Sequence, residues 1–258
     1  MALIDCKFFS SVLGLSTEMT VILPEETVGQ IGQQNVSQDE TKVLYLLHGR
    51  SDDNTTWTRR TSIERYAAAY GIAVVMPNAH LSFYTNMAQG GRYQDFIFEE
   101  ISEKISKLFG LKPAKEHCAV AGLSMGGYGA IKWALTQPER FCFAAGLSGA
   151  YDIADFWRMQ DNGNADRDLV SIYGSLEKFT GGENDIQELI NRCHHRKAEL
   201  PELFITCGTD DFIFGHSQFL HAALNEKSIP HTYEEHPGSH DWGYWDQHIQ
   251  RALATWLG

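Results

Sequence analysis

The alternation of short apolar runs with segments of helical periodicity constrains the fold of this chain more than any other feature. The runs Lys42–Leu47 and Cys118–Leu123 are too short for helices and almost continuously apolar, as strands buried on both faces are. Such strands, separated by helices, form a parallel sheet with helices on both faces. A hairpin over 3–12 and 17–23, turning at Gly14, is predicted to add antiparallel strands at one edge.

The remaining segments continue this pattern. Further strands are predicted at 72–76, 141–147, 203–207 and 231–236, and helices at 55–70, 93–109, 125–136, 216–227 and 242–256. Residues 24–41 are polar and are predicted to form a surface loop. Because no repeat or linker divides the chain, we expect one α/β domain over residues 1–258.

Charge and composition exclude several classes of function. The 21 Lys and Arg residues against 33 Asp and Glu residues give a net charge of −12, which argues against nucleic acid or an anionic membrane as partner. No apolar stretch approaches the roughly 18 residues of a membrane span. Asp5 and Lys7 interrupt the place of a signal peptide's apolar region, so we expect no export and a cytoplasmic location. The 5 cysteines form no C-x-x-C pair, which predicts neither a disulfide framework nor a zinc site.

Residues 122–126 (GLSMG) match the pattern G-x-S-x-G at the junction of a predicted strand and a predicted helix. In that context the serine occupies a sharp turn, which exposes its hydroxyl and directs a helix N-terminus at any oxyanion formed there. Residues 146–150 (GLSGA) follow another strand but lack the last glycine. Ser124 is therefore the candidate nucleophile, and the alternative is a glycine-rich turn needed only for packing.

A nucleophilic serine needs an imidazole to accept its proton and a carboxylate to fix the imidazole tautomer. After such a serine the acid and then the base follow along the chain. Asp210 and Asp211 follow a predicted strand, and His240 lies in a loop before the last helix. We predict His240 as base and Asp211, in preference to Asp210, as acid. Either aspartate could instead be an N-cap of the helix that starts near Gly215.

The loop after the strand Lys42–Leu47 begins His48-Gly49-Arg50. In this arrangement one oxyanion donor comes from such a loop and the other from the residue after the nucleophile. We therefore predict the backbone N–H groups of Arg50 and Met125 as the two donors. The alternative is a strand end with a permissive glycine.

Four segments carry a resemblance to a known family: 46–49 (LLHG), 122–130 (GLSMGGYGA), 207–212 (CGTDDF) and 238–245 (GSHDWGYW). Together they resemble the esterase D group of α/β-hydrolases, which includes S-formylglutathione hydrolases, feruloyl and acetyl esterases and mycolyltransferases of the antigen 85 type. The bacterial tributyrin-esterase branch of this group, small cytoplasmic carboxylesterases acting on short acyl chains, is the most similar.

The resemblance implies a serine carboxylesterase that hydrolyses short-chain acyl esters through an acyl-enzyme intermediate. It implies a small-molecule ester substrate, no metal, no cofactor and a homo-oligomer, and it places Trp57 near the active-site loop. The alternatives are a thioesterase of the S-formylglutathione hydrolase type and a catalytically idle binding module with the same fold. Carried over position by position, it assigns the triad to Ser124, Asp211 and His240 and the oxyanion amides to Arg50 and Met125.

Two segments bear on substrate preference. Residues 50–53 (RSDD) place a cation and two carboxylates where the family more usually has small or apolar residues. Residues 150–200 form an excursion between two strands, which is either a cap-like insertion over the acyl pocket or a helical surface segment anchored by its aromatic residues. Within it, 161–168 is predicted to be a solvated loop and not a calcium site, because the glycine and final glutamate of an EF-hand loop are absent.

Overall fold

The computed structural model describes residues 1–25, 40–158 and 167–258, and within these ranges eight strands form one sheet. The order across the sheet is β1-β2-β4-β3-β5-β6-β7-β8. The β1–β2 and β2–β4 pairs are antiparallel and the others are parallel. The predicted mostly parallel sheet with an antiparallel N-terminal hairpin is confirmed. The strands are β1 Ala2–Ser10, β2 Leu15–Leu23, β3 Val43–Leu47, β4 Ala73–Pro77, β5 Cys118–Leu123, β6 Phe143–Leu147, β7 Glu202–Gly208 and β8 Thr232–His236.

Helices separate the parallel strands, as the alternation predicts. Within the described ranges they are α1 Thr56–Arg60, α2 Ile63–Tyr70, α3 Tyr93–Asp95, α4 Ile101–Phe109, α5 Met125–Thr136, α6 Ile153–Arg158, α7 Arg167–Tyr173, α8 Leu176–Phe179, α9 Ile186–Arg196, α10 Phe214–Glu226 and α11 Trp242–Leu257. The predicted loops at 24–41 and 161–168 lie for the most part outside the described residues.

Two of the predicted helices differ in detail from the structure. The helix predicted over 55–70 is two helices, because Thr61 is extended and its hydroxyl donates a 2.6 Å hydrogen bond to the Trp57 carbonyl, a side-chain bond that competes with the helix. The helix predicted over 93–109 is continuous but contains a π-helical turn at Phe96–Glu100.

The centre of the sheet consists of β3, β5, β6 and β7, which are buried along almost their whole length. Hydrophobic clusters cover both faces, and every residue of α5 except Thr136 is buried against one of them. Because the carboxyl ends of parallel strands emerge at the same edge, the loops after β3, β5, β7 and β8 meet there. None of the described helices is long and apolar enough to cross a bilayer.

Candidate active site

Ser124 lies between β5 and α5 with backbone angles of φ 52° and ψ −116°, which a residue with a side chain rarely adopts. The two flanking glycines make this turn possible. A Cβ atom on Gly122 would lie 2.3 Å from the Gly126 carbonyl oxygen, and one on Gly126 would lie 2.4 Å from the Leu47 carbonyl oxygen. The backbones of β5, α5 and the end of β3 therefore approach more closely than any side chain allows, and this contact holds Ser124 at the turn.

The structure brings Ser124, His240 and Asp211 into one chain of hydrogen bonds. His240 Nε2 lies 3.0 Å from Ser124 Oγ, and His240 Nδ1 lies 2.8 Å and 3.0 Å from the two oxygens of Asp211. A carboxylate only accepts hydrogen bonds, so Nδ1 carries the proton and Nε2 is left as the acceptor for the serine hydroxyl. This tautomer is the one a general base needs.

Asp211, and not Asp210, is the acid that contacts His240. The Asp211 side chain is fully buried, whereas Asp210 is exposed. Burial alone would raise the pKa of Asp211, but hydrogen bonds from His240 and from the Ile213 amide outweigh it and lower the pKa below its ordinary value. Asp211 is therefore ionised at neutral pH. Its bond to the Ile213 amide also places it beside the start of α10. The N-cap of α10 is Ile213 itself, so Asp211 does not occupy the N-cap position that was its predicted alternative role.

Two aromatic rings hold the imidazole of His240 in place. The ring of Phe212 lies 4.7 Å from it, centroid to centroid, and that of Trp245 contacts it edge-on at 4.8 Å. Trp245 is buried, whereas Phe212 is itself 72% exposed. The base is therefore packed against a buried ring and an exposed one.

The loop after β3 is held by contacts that the sequence did not reveal. Buried His48 lies 2.8 Å from the Gly49 carbonyl through Nδ1 and accepts a 2.9 Å hydrogen bond from the Ala79 amide through Nε2. These partners fix Nδ1 as the donor, and burial lowers the pKa of His48 to about 4. The neutral ring thus ties this loop to the residues after β4. Trp57, which the resemblance places near the loop, donates a 3.0 Å bond to the Leu47 carbonyl.

The same loop lies directly beside the serine. A Cβ atom on Gly49 would be 3.6 Å from Ser124 Cβ and 2.5 Å from a methyl group of Leu123. Arg50 follows Gly49, and Met125 is the first residue of α5. Both residues predicted to supply oxyanion amides therefore flank Ser124, on the two elements that meet at the turn.

A cavity of about 630 Å³ opens onto Ser124 and His240. Its walls are mostly apolar, and a cation and two carboxylates lie at its edge, in the arrangement typical of small-molecule sites. The apolar members are Leu81, Phe83, Leu123, Ala150, Phe156, Leu169, Phe212, Ile213, Trp242 and Trp245, and the charged ones are Arg50, Asp52 and Asp168.

The described part of the 150–200 segment forms one side of this cavity. Phe156 of α6 and Leu169 of α7 line it. Asp168 of α7 forms an ion pair with Arg50, in which both side chains are about half exposed. The charged residues at 50–53, where the family more usually has small or apolar residues, thus connect the loop after β3 with the 150–200 segment through this ion pair.

Ser148, in the near match at 146–150, has a positive φ angle, as Ser124 does. Its φ is 46°, and β5 and β6 pair in register so that Gly122 lies opposite Gly146 and Leu123 opposite Leu147. However, Ser148 is fully buried and accepts a hydrogen bond from the Trp245 indole at 3.2 Å. The structure therefore places only Ser124 of the two at the cavity.

The chain is similar to known esterases and serine hydrolases. The family described as "Putative esterase" matches residues 10–183. An acetyl esterase from Caldicellulosiruptor saccharolyticus is 30% identical over 100% of this chain and 98% of its own length. Among solved structures, the substrate-bound fluorophosphonate-binding serine hydrolase F of Staphylococcus aureus is 36% identical with a TM-score of 0.88, over 100% of this chain and 98% of that one. The S-formylglutathione hydrolase FrmB of the same organism is also 36% identical, with a TM-score of 0.85 over 100% and 99% of the two chains.

Proposed function

The chain belongs to this esterase family and is a serine hydrolase of carboxylic esters, and from that premise we propose that Ser124, His240 and Asp211 are its catalytic triad. The observation that carries the proposal is the hydrogen-bonded chain from Ser124 Oγ through His240 to the buried Asp211. Its distances and its single consistent tautomer match what proton transfer from the hydroxyl requires.

The reaction proceeds in two halves. Ser124 Oγ forms a bond to the ester carbonyl carbon while its proton passes to His240 Nε2, and the carbonyl π electrons move to the oxygen. When the C=O bond re-forms, the alkoxide leaves and takes the proton from His240, which leaves an acyl-enzyme. Water then adds by the same route and releases the carboxylic acid. The charged Asp211 stabilises the imidazolium in both halves.

The amides of Arg50 and Met125 are proposed to bind the oxyanion. Their positions on either side of Ser124, one near the start of the loop after β3 and one in the first turn of α5, support this role. Fixed backbone donors of this kind stabilise the developing charge without reorganising.

The substrate is proposed to be an ester with a short acyl chain. The resemblance to the tributyrin-esterase branch and the 30% identity with an acetyl esterase support this proposal. The cavity of about 630 Å³, which Phe156 and Leu169 help to line, is shared between the acyl and alcohol groups. Thioester hydrolysis is the second candidate, because the same triad serves it and the S-formylglutathione hydrolase FrmB matches the whole chain at 36% identity.

The decisive experiment compares native protein with Ser124→Ala on p-nitrophenyl esters of increasing chain length and on small thioesters. We expect activity on the shortest esters and a loss of about a millionfold in the variant, with unchanged circular dichroism. A fluorophosphonate probe should label the native protein and Ser148→Ala but not Ser124→Ala. Labelling that persists in Ser124→Ala would overturn the assignment.

The remaining expectations come partly from the residues themselves and partly from the family resemblance. We propose one domain over residues 1–258 with 150–200 as a cap-like insertion, a place in the tributyrin-esterase branch, a cytoplasmic location and a homo-oligomer. The contribution of α6 and α7 to the cavity wall supports the cap. Gel filtration with light scattering tests the oligomer.

A further inference from the structure

A second cluster of reactive side chains lies at the far edge of the sheet, outside the site described above. Glu234 and His236 are two residues apart on β8 and so point to the same side of the strand. His248 faces them from α11. One oxygen of Glu234 and one nitrogen of each histidine all lie within 4.8 Å of one another.

His248 is the unusual member of this cluster. It is 2% exposed, and its Nδ1 atom makes no hydrogen bond to any residue that the structure describes, although buried polar atoms are almost always paired. Its ring is held between those of His236 and Tyr244, with centroids at 4.8 Å and 3.9 Å. A buried ring nitrogen that lacks a hydrogen-bond partner is available to bind a metal ion.

Glu234 is held in place by two partners. Arg251 donates to both of its oxygens at 2.8 Å and 2.7 Å, and His236 Nε2 lies 3.1 Å from the Oε2 atom. Hydrogen bonds of this kind to a ligating carboxylate are common around metal ions, because they fix its orientation. The positive charge of Arg251 also opposes a bound cation, so we expect moderate affinity.

We infer that Glu234, His236 and His248 form a binding site for a divalent transition-metal ion such as Zn²⁺. Two imidazoles and one carboxylate are ligands that Zn²⁺ accepts in tetrahedral geometry with water as the fourth ligand, whereas Mg²⁺ and Ca²⁺ prefer oxygen. On binding, the proton on His236 Nε2 is exchanged through solvent for one on Nδ1, so the ring stays neutral, and the ion takes the place of the Nε2 proton between His236 and Glu234. The side chains of His236 and Glu234 are 35% and 22% exposed, which leaves the ion a path from solvent.

The site is separate from the esterase chemistry but lies on the same stretch of chain. His236 is the last residue of β8, and His240 follows in the next loop. The His236 carbonyl accepts a 2.9 Å hydrogen bond from the Thr209 amide, two residues before Asp211. The ion is therefore proposed to restrain the end of β8 and to take no part in hydrolysis.

The test is Zn²⁺ titration of metal-free protein by calorimetry, with Co²⁺ absorption as an independent report of coordination. We expect about one ion per chain, a tetrahedral Co²⁺ spectrum and a rise in Tm with Zn²⁺. His236→Ala and His248→Ala should each weaken binding by at least about tenfold. His236 is the safer variant because it is only half-buried, and circular dichroism checks that both fold.

The matched control is His221→Ala. His221 and His231 form another histidine pair, with ring nitrogens 2.7 Å apart, but they are not part of the proposed site. Binding that survives both His236→Ala and His248→Ala, that is lost in His221→Ala, or that is undetectable in native protein would overturn the inference.

Discussion

The turn around Ser124 and the helices α6 and α7 of the 150–200 segment line the same cavity, but different forces hold them. At the turn, backbone atoms of three elements meet at distances that exclude even a methyl group. The described helices of the segment have at most 11 residues, too short to be stable alone. They depend on ring contacts such as Trp157 with Tyr173 and Phe179, each at 6.0 Å.

This difference separates chemistry from selectivity. The reacting atoms are placed by steric constraints that tolerate almost no substitution, whereas the cavity wall is placed by contacts that can change without moving Ser124. We therefore expect large losses of rate from changes near the turn and small changes of preference from changes in the segment.

After the loss expected for Ser124→Ala, the largest effect is expected from Asp211→Asn. An amide in place of the carboxylate stabilises the wrong tautomer of His240, so kcat on a short ester should fall about 10⁴-fold while circular dichroism is unchanged. The control is Asp210→Asn, because Asp210 is adjacent but exposed, and its kcat should stay within about twofold. Equal losses in both variants would contradict the assignment of the acid.

Gly126→Ala tests the steric constraint at the turn. The added methyl group would meet the Leu47 and His48 carbonyl oxygens at 2.4 Å and 2.6 Å, so the free energy of unfolding should fall by about 3 kcal/mol and activity should fall with it. Gly215→Ala is the control, because nothing lies within 4 Å of the new atom and alanine favours the helix. Urea unfolding measures the free energy of unfolding of both variants. An unchanged value for Gly126→Ala would show that the turn can accommodate a methyl group and would contradict the steric argument.

The pH dependence of the free energy of unfolding tests how buried His48 holds the loop after β3. The pKa of His48 is about 4 in the folded chain against about 6.5 when unfolded. Below pH 6.5 the unfolded chain therefore binds a proton that the folded chain does not, and stability falls by up to about 3 kcal/mol as the pH drops to 4. His48→Asn should flatten this part of the slope, while His194→Asn, on the surface, should leave it unchanged. An unaltered slope in His48→Asn would be the contrary result.

The smallest effect is expected from Asp168→Asn in the segment. Its ion pair with Arg50 is half exposed, so its loss should change the free energy of unfolding by less than about 1 kcal/mol. Because both residues line the cavity, the ratio of kcat/KM between short and long acyl chains should still change a few-fold. Glu188→Gln breaks a surface pair away from the cavity and should leave that ratio as it is.

The sheet and the site residues were predictable because their signals are local. An apolar run such as Cys118–Leu123 coincides with β5 to the residue, and the order of Ser124, Asp211 and His240 along the chain is a pattern in sequence alone. The contacts that bring the three together follow from that topology.

Other features depend on tertiary contacts that no local pattern records. The roles of His48 and His248 follow from partners 31 residues away or on another element. The sequence does not separate Asp211 from Asp210, because they are adjacent and of the same residue type. The difference is that the folded chain buries Asp211 and exposes Asp210. The break at Thr61 depends on one side-chain hydrogen bond to Trp57. The helical periodicity of residues 55–70 continues across Thr61, so the sequence pattern does not show the break.

The two serines at the ends of β5 and β6 have a consequence for how such sites arise. Both follow the same Gly-Leu dipeptide and both have positive φ angles, yet Met125 begins a twelve-residue helix after one and a loop follows the other. The turn after β6 thus resembles the turn after β5, except that no helix starts directly after its serine. A serine with a positive φ angle is consequently something this sheet produces at adjacent strand ends, and the two differ in that Ser124 faces the cavity beside the start of a helix whereas Ser148 is fully buried.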